Sequence, residues 1–167
     1  MNIKAVNIRL IFLFLTLCIL STGCGLGRHP SDEVLEQQLK SREKEFTRLA
    51  TMLNEDLNVV RLSDEDVFLN DNSKPAPSQE RLAEYRHLFR ELKLEKGIHR
   101  DNANQVRLIA SSKGLLVASS EKSFMYSSEN PTPLVDSIDA IVSKAHANQD
   151  PVYKRLGGNW YIYYESW

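Results

Sequence analysis

Cysteine is nearly absent from this chain: among 167 residues only Cys18 and Cys24 carry a thiol. That excludes a disulfide framework and leaves no cysteine cluster for a structural zinc site. Neither sign of charge is in excess, with 21 basic against 22 acidic residues and a formal net charge of -1. No basic field is available to hold nucleic acid, and nucleic-acid binding is not expected. The chain has no internal repeat, no long low-complexity tract, no G-x-S-x-G nucleophile elbow and no paired histidines at helical spacing. Its main apolar run, Leu10 to Leu20, is short beside the roughly 20 residues that a membrane-spanning helix needs.

That run is informative by position. It follows Lys4 and Arg9, has no acidic residue before it, and leads into Leu20, Ser21, Thr22, Gly23 and Cys24. Positive, apolar and then small is the layout of a signal peptide. The stretch ending at Cys24 resembles the lipobox of bacterial lipoproteins, with Ser21 where the commonest form has leucine and Leu20 one place further out. The resemblance covers the leader alone. It implies cleavage before Cys24, lipid on that cysteine, and anchoring by two or three acyl chains, each buried methylene adding about 0.8 kcal/mol. By the same resemblance, Gly25 in place of aspartate favours the outer over the inner membrane. An ordinary secretory peptide cut nearby, or an uncleaved anchor, is the alternative. Lipidation would also remove the single thiol left after processing, a liability in an oxidising compartment. Without the leader the chain carries 19 basic and 22 acidic residues, a net charge of -3.

The expected organisation is a signal peptide over 1–23, a lipidated tether over 24–30, and one globular domain over 31–167, a length suited to a single core. From Ser31 onward, Leu35, Leu39, Phe46, Leu49 and Leu53 recur at helical spacing, with Arg42 interrupting, so the first turns are expected to stand off from the core. A strand over Leu57 to Leu62, an acidic turn over Ser63 to Asp66 and a loop over Asn70 to Ser78 follow. Ser78 caps a second helix with the stripe Leu82, Tyr85, Phe89 and Leu92, and Gly97 is expected to close it, with Ile98 folding back on the last turn. Three strands of a meander are expected over Val106–Ala110, Leu115–Ser119 and Phe124–Ser127. Thr132 and Pro133 should start a helix running to about Ala145. A final hairpin pairs Val152–Leu156 with Trp160–Glu165 through Gly157, Gly158 and Asn159. The fold class expected is α+β: one antiparallel sheet with helices packed on one face.

Candidate chemistry is sparse. Asp136 and Asp139 share a helix face, but acidic residues early in a helix also complement its dipole. Ser119 and Lys122 have serine-x-x-lysine spacing, placed across a predicted hairpin turn instead of at a helix start. His29, His87, His99 and His146 are scattered, and His99 with Asp101 is the best metal-ligand candidate among them. His99, Asp101 and Glu121 could form a hydrolytic cluster only if folding brings them together. Strand alternation at the C-terminus points Trp160, Ile162 and Tyr164 to the core and leaves Tyr161, Tyr163 and Glu165 on the other face. Tyr161 and Tyr163, with Trp167, are therefore the candidate surface for a partner protein or glycan. The expected role is a non-enzymatic binding or structural module of the cell envelope, without cofactor or metal. A small-ligand carrier with a pocket beside Leu82, Tyr85 and Phe89 is the alternative.

Overall fold

Ser31 opens the fold, its Oγ accepting the Val34 N–H at 3.3 Å to cap helix α1, Asp32–Ser41. The computed structural model describes residues 28–115, 118–144 and 148–167. The leader, Cys24, Gly25 and His146 lie outside the described residues. A second helix, α2 (Glu43–Glu55), follows after a break at Arg42, whose backbone leaves the helical region while its side chain reaches out to Glu45 and Glu91. The break turns α1 inward. Leu35 is fully buried, which corrects the expectation that the first turns stand off.

Strand β1 (Val59–Leu62) turns back at once into β2 (Val67–Leu69), a strand that three residues of weak pattern did not announce. Ser63 makes the turn, its Oγ accepting the N–H groups of Glu65 and Asp66. Helix α3 (Gln79–Glu91) is capped by Ser78, as its sequence predicts. Its end is not at Gly97. Lys93 takes the left-handed conformation (φ 48°), with Lys93 N–H bonded to Arg90 O and Leu94 N–H to Phe89 O, the double closure of a Schellman motif.

Gly97 serves a different purpose, entry into β3 (Ile98–Asn102), which pairs with β1. At φ 72°, a Cβ on Gly97 would lie 2.1 Å from the carbonyl oxygen of Leu62, on the neighbouring strand. Gly97→Ala should therefore destabilise the domain by at least about 2 kcal/mol, from left-handed strain and forced separation of two strands. Urea denaturation would measure it, and a loss below about 0.5 kcal/mol, the size of a neutral surface change, would show that the strands yield freely.

The expected three-strand meander is instead one long hairpin. β4 (Gln105–Leu115) and β5 (Ala118–Ser127) pair from Gln105↔Ser127 to Leu115↔Ala118, with a bulge between Leu108 and Ser111. Residues read as turns lie inside it: Ser112 pairs with Glu121 and Lys113 with Ser120. After β5, residues 131–137 form an irregular segment along the sheet edge, where Leu134 bridges to Tyr153. The last helix, α4, is only Ile138–Val142, capped by Ser137, so the start proposed at Thr132 and Pro133 is corrected. The final hairpin, β6 (Gln149–Gly157) and β7 (Trp160–Ser166), forms where predicted.

Together these give a single α+β domain with one antiparallel sheet of seven strands, in the order β2-β1-β3-β4-β5-β7-β6. The main core joins Leu35, Phe46 and Leu53 of α1 and α2 and Leu82, Tyr85 and Phe89 of α3 to Ile98, Leu108, Phe124 and Ile162 of the sheet. Phe46 meets Phe124 and Trp160 edge to face, at 4.6 and 5.3 Å between ring centres. Met125, Tyr161 and Tyr163 form a second, smaller cluster.

Candidate functional site

The alternation expected in β7 holds, but the exposure does not. Trp160, Ile162 and Tyr164 pack with the main core, while Tyr161 and Tyr163 in the second cluster are only 1% and 5% exposed. Their burial has local causes. The Tyr161 hydroxyl donates to Asn130 Oδ1 at 3.0 Å and accepts from Arg155 at 2.9 Å. Tyr163 lies under the Arg107 guanidinium, 4.7 Å from its ring centre, packs edge to face with Tyr153, and donates its hydroxyl to Glu165. The surface proposed at Tyr161 and Tyr163 is thus corrected; Trp167, at 52% exposure, remains accessible.

Arg107 also answers the question of whether His99, Asp101 and Glu121 meet. They do. Arg107 Nη2 donates to His99 Nδ1 at 2.9 Å and to Asp101 Oδ1 at 2.7 Å, Nε donates to Asp101 Oδ2 at 2.8 Å, and Nη1 to Glu121 Oε1 at 2.9 Å. Ser123 Oγ donates to the same Glu121 oxygen at 2.6 Å. These contacts engage most of the five N–H donors a guanidinium has. The guanidinium ties the three side chains together, which makes the cluster a brace across β3, β4 and β5.

On the opposite side of β5 sits a second polar centre. Lys122, fully buried, contacts Asp32 Oδ1 at 2.8 Å and Asp139 Oδ1 at 2.7 Å. Asp32 begins α1 and Asp139 begins α4, and each carboxylate binds the other helix: Asp32 Oδ2 accepts the Ile138 N–H at 2.9 Å, and Asp139 Oδ2 accepts the Asp32 N–H at 2.8 Å. Carboxylates at helix starts complement the dipole; here they do so in trans, crosswise, with the lysine between them. Lys154 stands 3.4 Å from Asp32. Burial pushes the Asp32 carboxyl up, but the Lys122 bond and charge, helped by Lys154, outweigh it and hold the group below the usual carboxylate range.

Beside this centre, the first described residues lie along the domain as a strap. His29 Nε2 is 2.8 Å from Ser120 Oγ, and its ring meets Tyr164 edge-on. Burial, then Lys122 and Lys113, lower the His29 pKa to about 4 against a weaker opposing effect of Glu95, so the ring is neutral at pH 7. A cleft of about 610 Å³ opens here, lined by Arg28, His29 and Ser31 of the strap and by Ser120, Asp139, Val142, Ser143 and Tyr164 of the body. Its volume is that of a small-ligand site.

Protein-family models, curated proteins and solved structures return no match to this chain.

The other sequence candidates separate. Asp136 is exposed ahead of α4 and shares no helix face with Asp139. Ser119 and Lys122, three apart in one strand, point to opposite faces. Among the described residues no group of three or more histidine, cysteine, aspartate or glutamate side chains is placed to hold a metal. Leu82, Tyr85 and Phe89 belong to the packed core, with the Tyr85 hydroxyl donating to Asp56 at 2.8 Å; beside Phe89 opens a cavity of about 320 Å³ whose other walls are mostly polar, Arg61, Ser63, Glu65 and Glu95 among them, in place of the apolar pocket expected there. The centre around Lys122 did leave one trace in the sequence. Period-two reading through Phe124 puts Lys122 on the core side, and a lysine there requires carboxylate partners from elsewhere.

Proposed function

We propose that this chain is a lipid-anchored protein of the bacterial cell envelope, held by acyl chains on Cys24, whose domain acts as a non-enzymatic binding module. Gly25 after the cysteine favours the outer membrane. The observation that carries the reading is the strap. His29 and Asp32 are docked against the sheet, and only four peptide units separate Cys24 from Arg28, a reach of at most about 14 Å. Lipid on Cys24 would thus hold the domain close against a bilayer in a restricted orientation, with the cleft beside the tether. Among the described residues no helix is long and apolar enough to cross a membrane.

The cleft also favours the small-ligand form of this reading over docking on an aromatic sheet face, because Tyr161 and Tyr163 are buried and the cleft is open. Expression of the full chain in a bacterial host, followed by mass measurement of the N-terminal peptide, tests the anchor. The expected product is an acylated peptide beginning at Cys24, lost in a Cys24→Ser variant. An uncut or unacylated N-terminus would overturn the reading.

A further inference from the structure

Trp167 follows β7 and is pinned beside β5 by two backbone bonds, Ser119 N–H to Trp167 O at 2.7 Å and Trp167 N–H to Ser119 O at 2.9 Å. Its side chain is nevertheless 52% exposed. The next residue of β5, Ser120, binds His29 of the strap and pairs with Lys113 on one side and Ser166 on the other. Strap and indole therefore meet at one end of the sheet, from its two faces. Alternation along β5 turns Ser120 toward the helices with Lys122 and Phe124, and turns Ser119, with Trp167 opposite it, the other way. Beyond Ser119 the β4–β5 hairpin ends on the pair Leu115↔Ala118, and the sequence from Leu115 to Ala118 is wholly apolar. Asn, Asp and Gly are the usual residues where a hairpin closes.

The length of the tether decides which end can meet a membrane. Cys24 stands within about 14 Å of Arg28, whereas the far end of the same hairpin, at Ser127, lies about 24 Å beyond Ser120. Acyl chains on Cys24 bring the near end to a bilayer and leave the far end out of reach. Contact through the strap's own face would put Trp167 on the side of the sheet away from the lipid, so only end-on contact engages both. We propose that this end of the sheet is a lipid-contacting face, with Trp167 lodged at headgroup level and the strands standing steeply on the bilayer. The inference rests on the acylation of Cys24 proposed above. An indole suits that depth because its ring is apolar and its N–H needs a polar partner. Charge does not select the surface: Arg28 is exposed, but Lys113 is held by Glu95 at 3.6 Å, and Glu165 precedes Trp167 on the same face. The matching lipid is therefore a zwitterionic one.

The full chain, expressed in a bacterial host and extracted in an uncharged detergent, is reconstituted in phosphatidylcholine vesicles, with and without bromine on the acyl chains just below the headgroups. Bromine quenches an indole only at close contact. The chain has two tryptophans, and Trp160, at the opposite end of β7, is the internal control. A Trp167→Phe variant separates their signals and leaves the packed core untouched. Expected is loss of the Trp167 emission in brominated vesicles, with the Trp160 emission unchanged.

The mass of the N-terminal peptide from the same preparation reports the anchor separately. An unacylated N-terminus with Trp167 still quenched would remove the anchor and keep the lipid-contacting end. Acylated Cys24 with Trp167 unquenched would leave the anchor standing and overturn the proposal, as would an unquenched Trp167 whatever the N-terminus carries. Equal quenching of both tryptophans would show that the sheet lies along the bilayer, and would overturn it as well.

Discussion

Replacing Lys122 with methionine is expected to destabilise the domain by about 3 kcal/mol, at the lower end of the range for removing one partner of a buried ion pair. The lower end applies because the relief is partial. Asp139 is 44% exposed and can be solvated, and Lys154 remains near Asp32. Asp32 itself has a side chain only 6% exposed, and without Lys122 its charge faces the core. A second change, Asp32→Asn, should return at least half of the loss, since the amide oxygen can still accept the Ile138 N–H without carrying charge. Urea denaturation of both single variants and the double variant gives the coupling directly. Strict additivity would mean that the pair is not coupled.

The pH dependence gives an independent check. Because the folded Asp32 carboxyl sits below its unfolded value of 3.8, its stabilisation is complete above about pH 4 and is lost as pH falls through the folded value. In Lys122→Met the dominant remaining influence is burial, which raises the carboxyl. The variant should then lose stability as pH rises through that elevated value, the reverse of the parent. A parent-like profile in the variant would argue that Lys122 does not hold Asp32.

The second large effect is expected at Arg107. Arg107→Lys keeps the charge but not the fork, and should cost about 2–3 kcal/mol, because an ammonium cannot bond Asp101 and Glu121 in their present geometry. Glu121, with a side chain only 10% exposed, bears most of that cost. Tyr163 also loses the guanidinium stacked on its ring, so it becomes more accessible. Thermal and urea unfolding measure the first, and tyrosine iodination followed by peptide mapping measures the second. If lysine proved equivalent to arginine in both, the brace would be a general charge effect and not a matter of planar geometry.

Both centres lie where sequence patterning misled most. Glu121 and Lys122 read as a turn because polar residues cluster there, yet both pair with β4 inside a long hairpin. The misreading has a definite cause: the partners that let Lys122 and Glu121 stay inside are Asp32, Asp139 and Arg107, at separations of 14 to 90 residues that no local window spans. Gly97 was misassigned for a similar reason. Its lack of a side chain serves a strand 35 residues earlier, not the helix just before it.

Local physics was sufficient elsewhere. Ser31 and Ser78 cap helices because their hydroxyls reach amides three residues on, and Gly157, Gly158 and Asn159 turn the last hairpin because two of them adopt positive φ. The alternation of β7, the stripe of α3 and the α+β class follow from periods of 2 and 3.6, which belong to the backbone. The sequence by itself thus determined the type of most elements, the inward set of β7 and the leader pattern on which the anchor proposal rests. Only the tertiary structure decided that Tyr161 and Tyr163 are covered, that His99, Asp101 and Glu121 converge on Arg107, and that strap and body enclose a cleft. Each of these depends on which distant side chain supplies a charge or a hydrogen bond, and burial of a polar group is decided by its partner, not by its own position in a pattern.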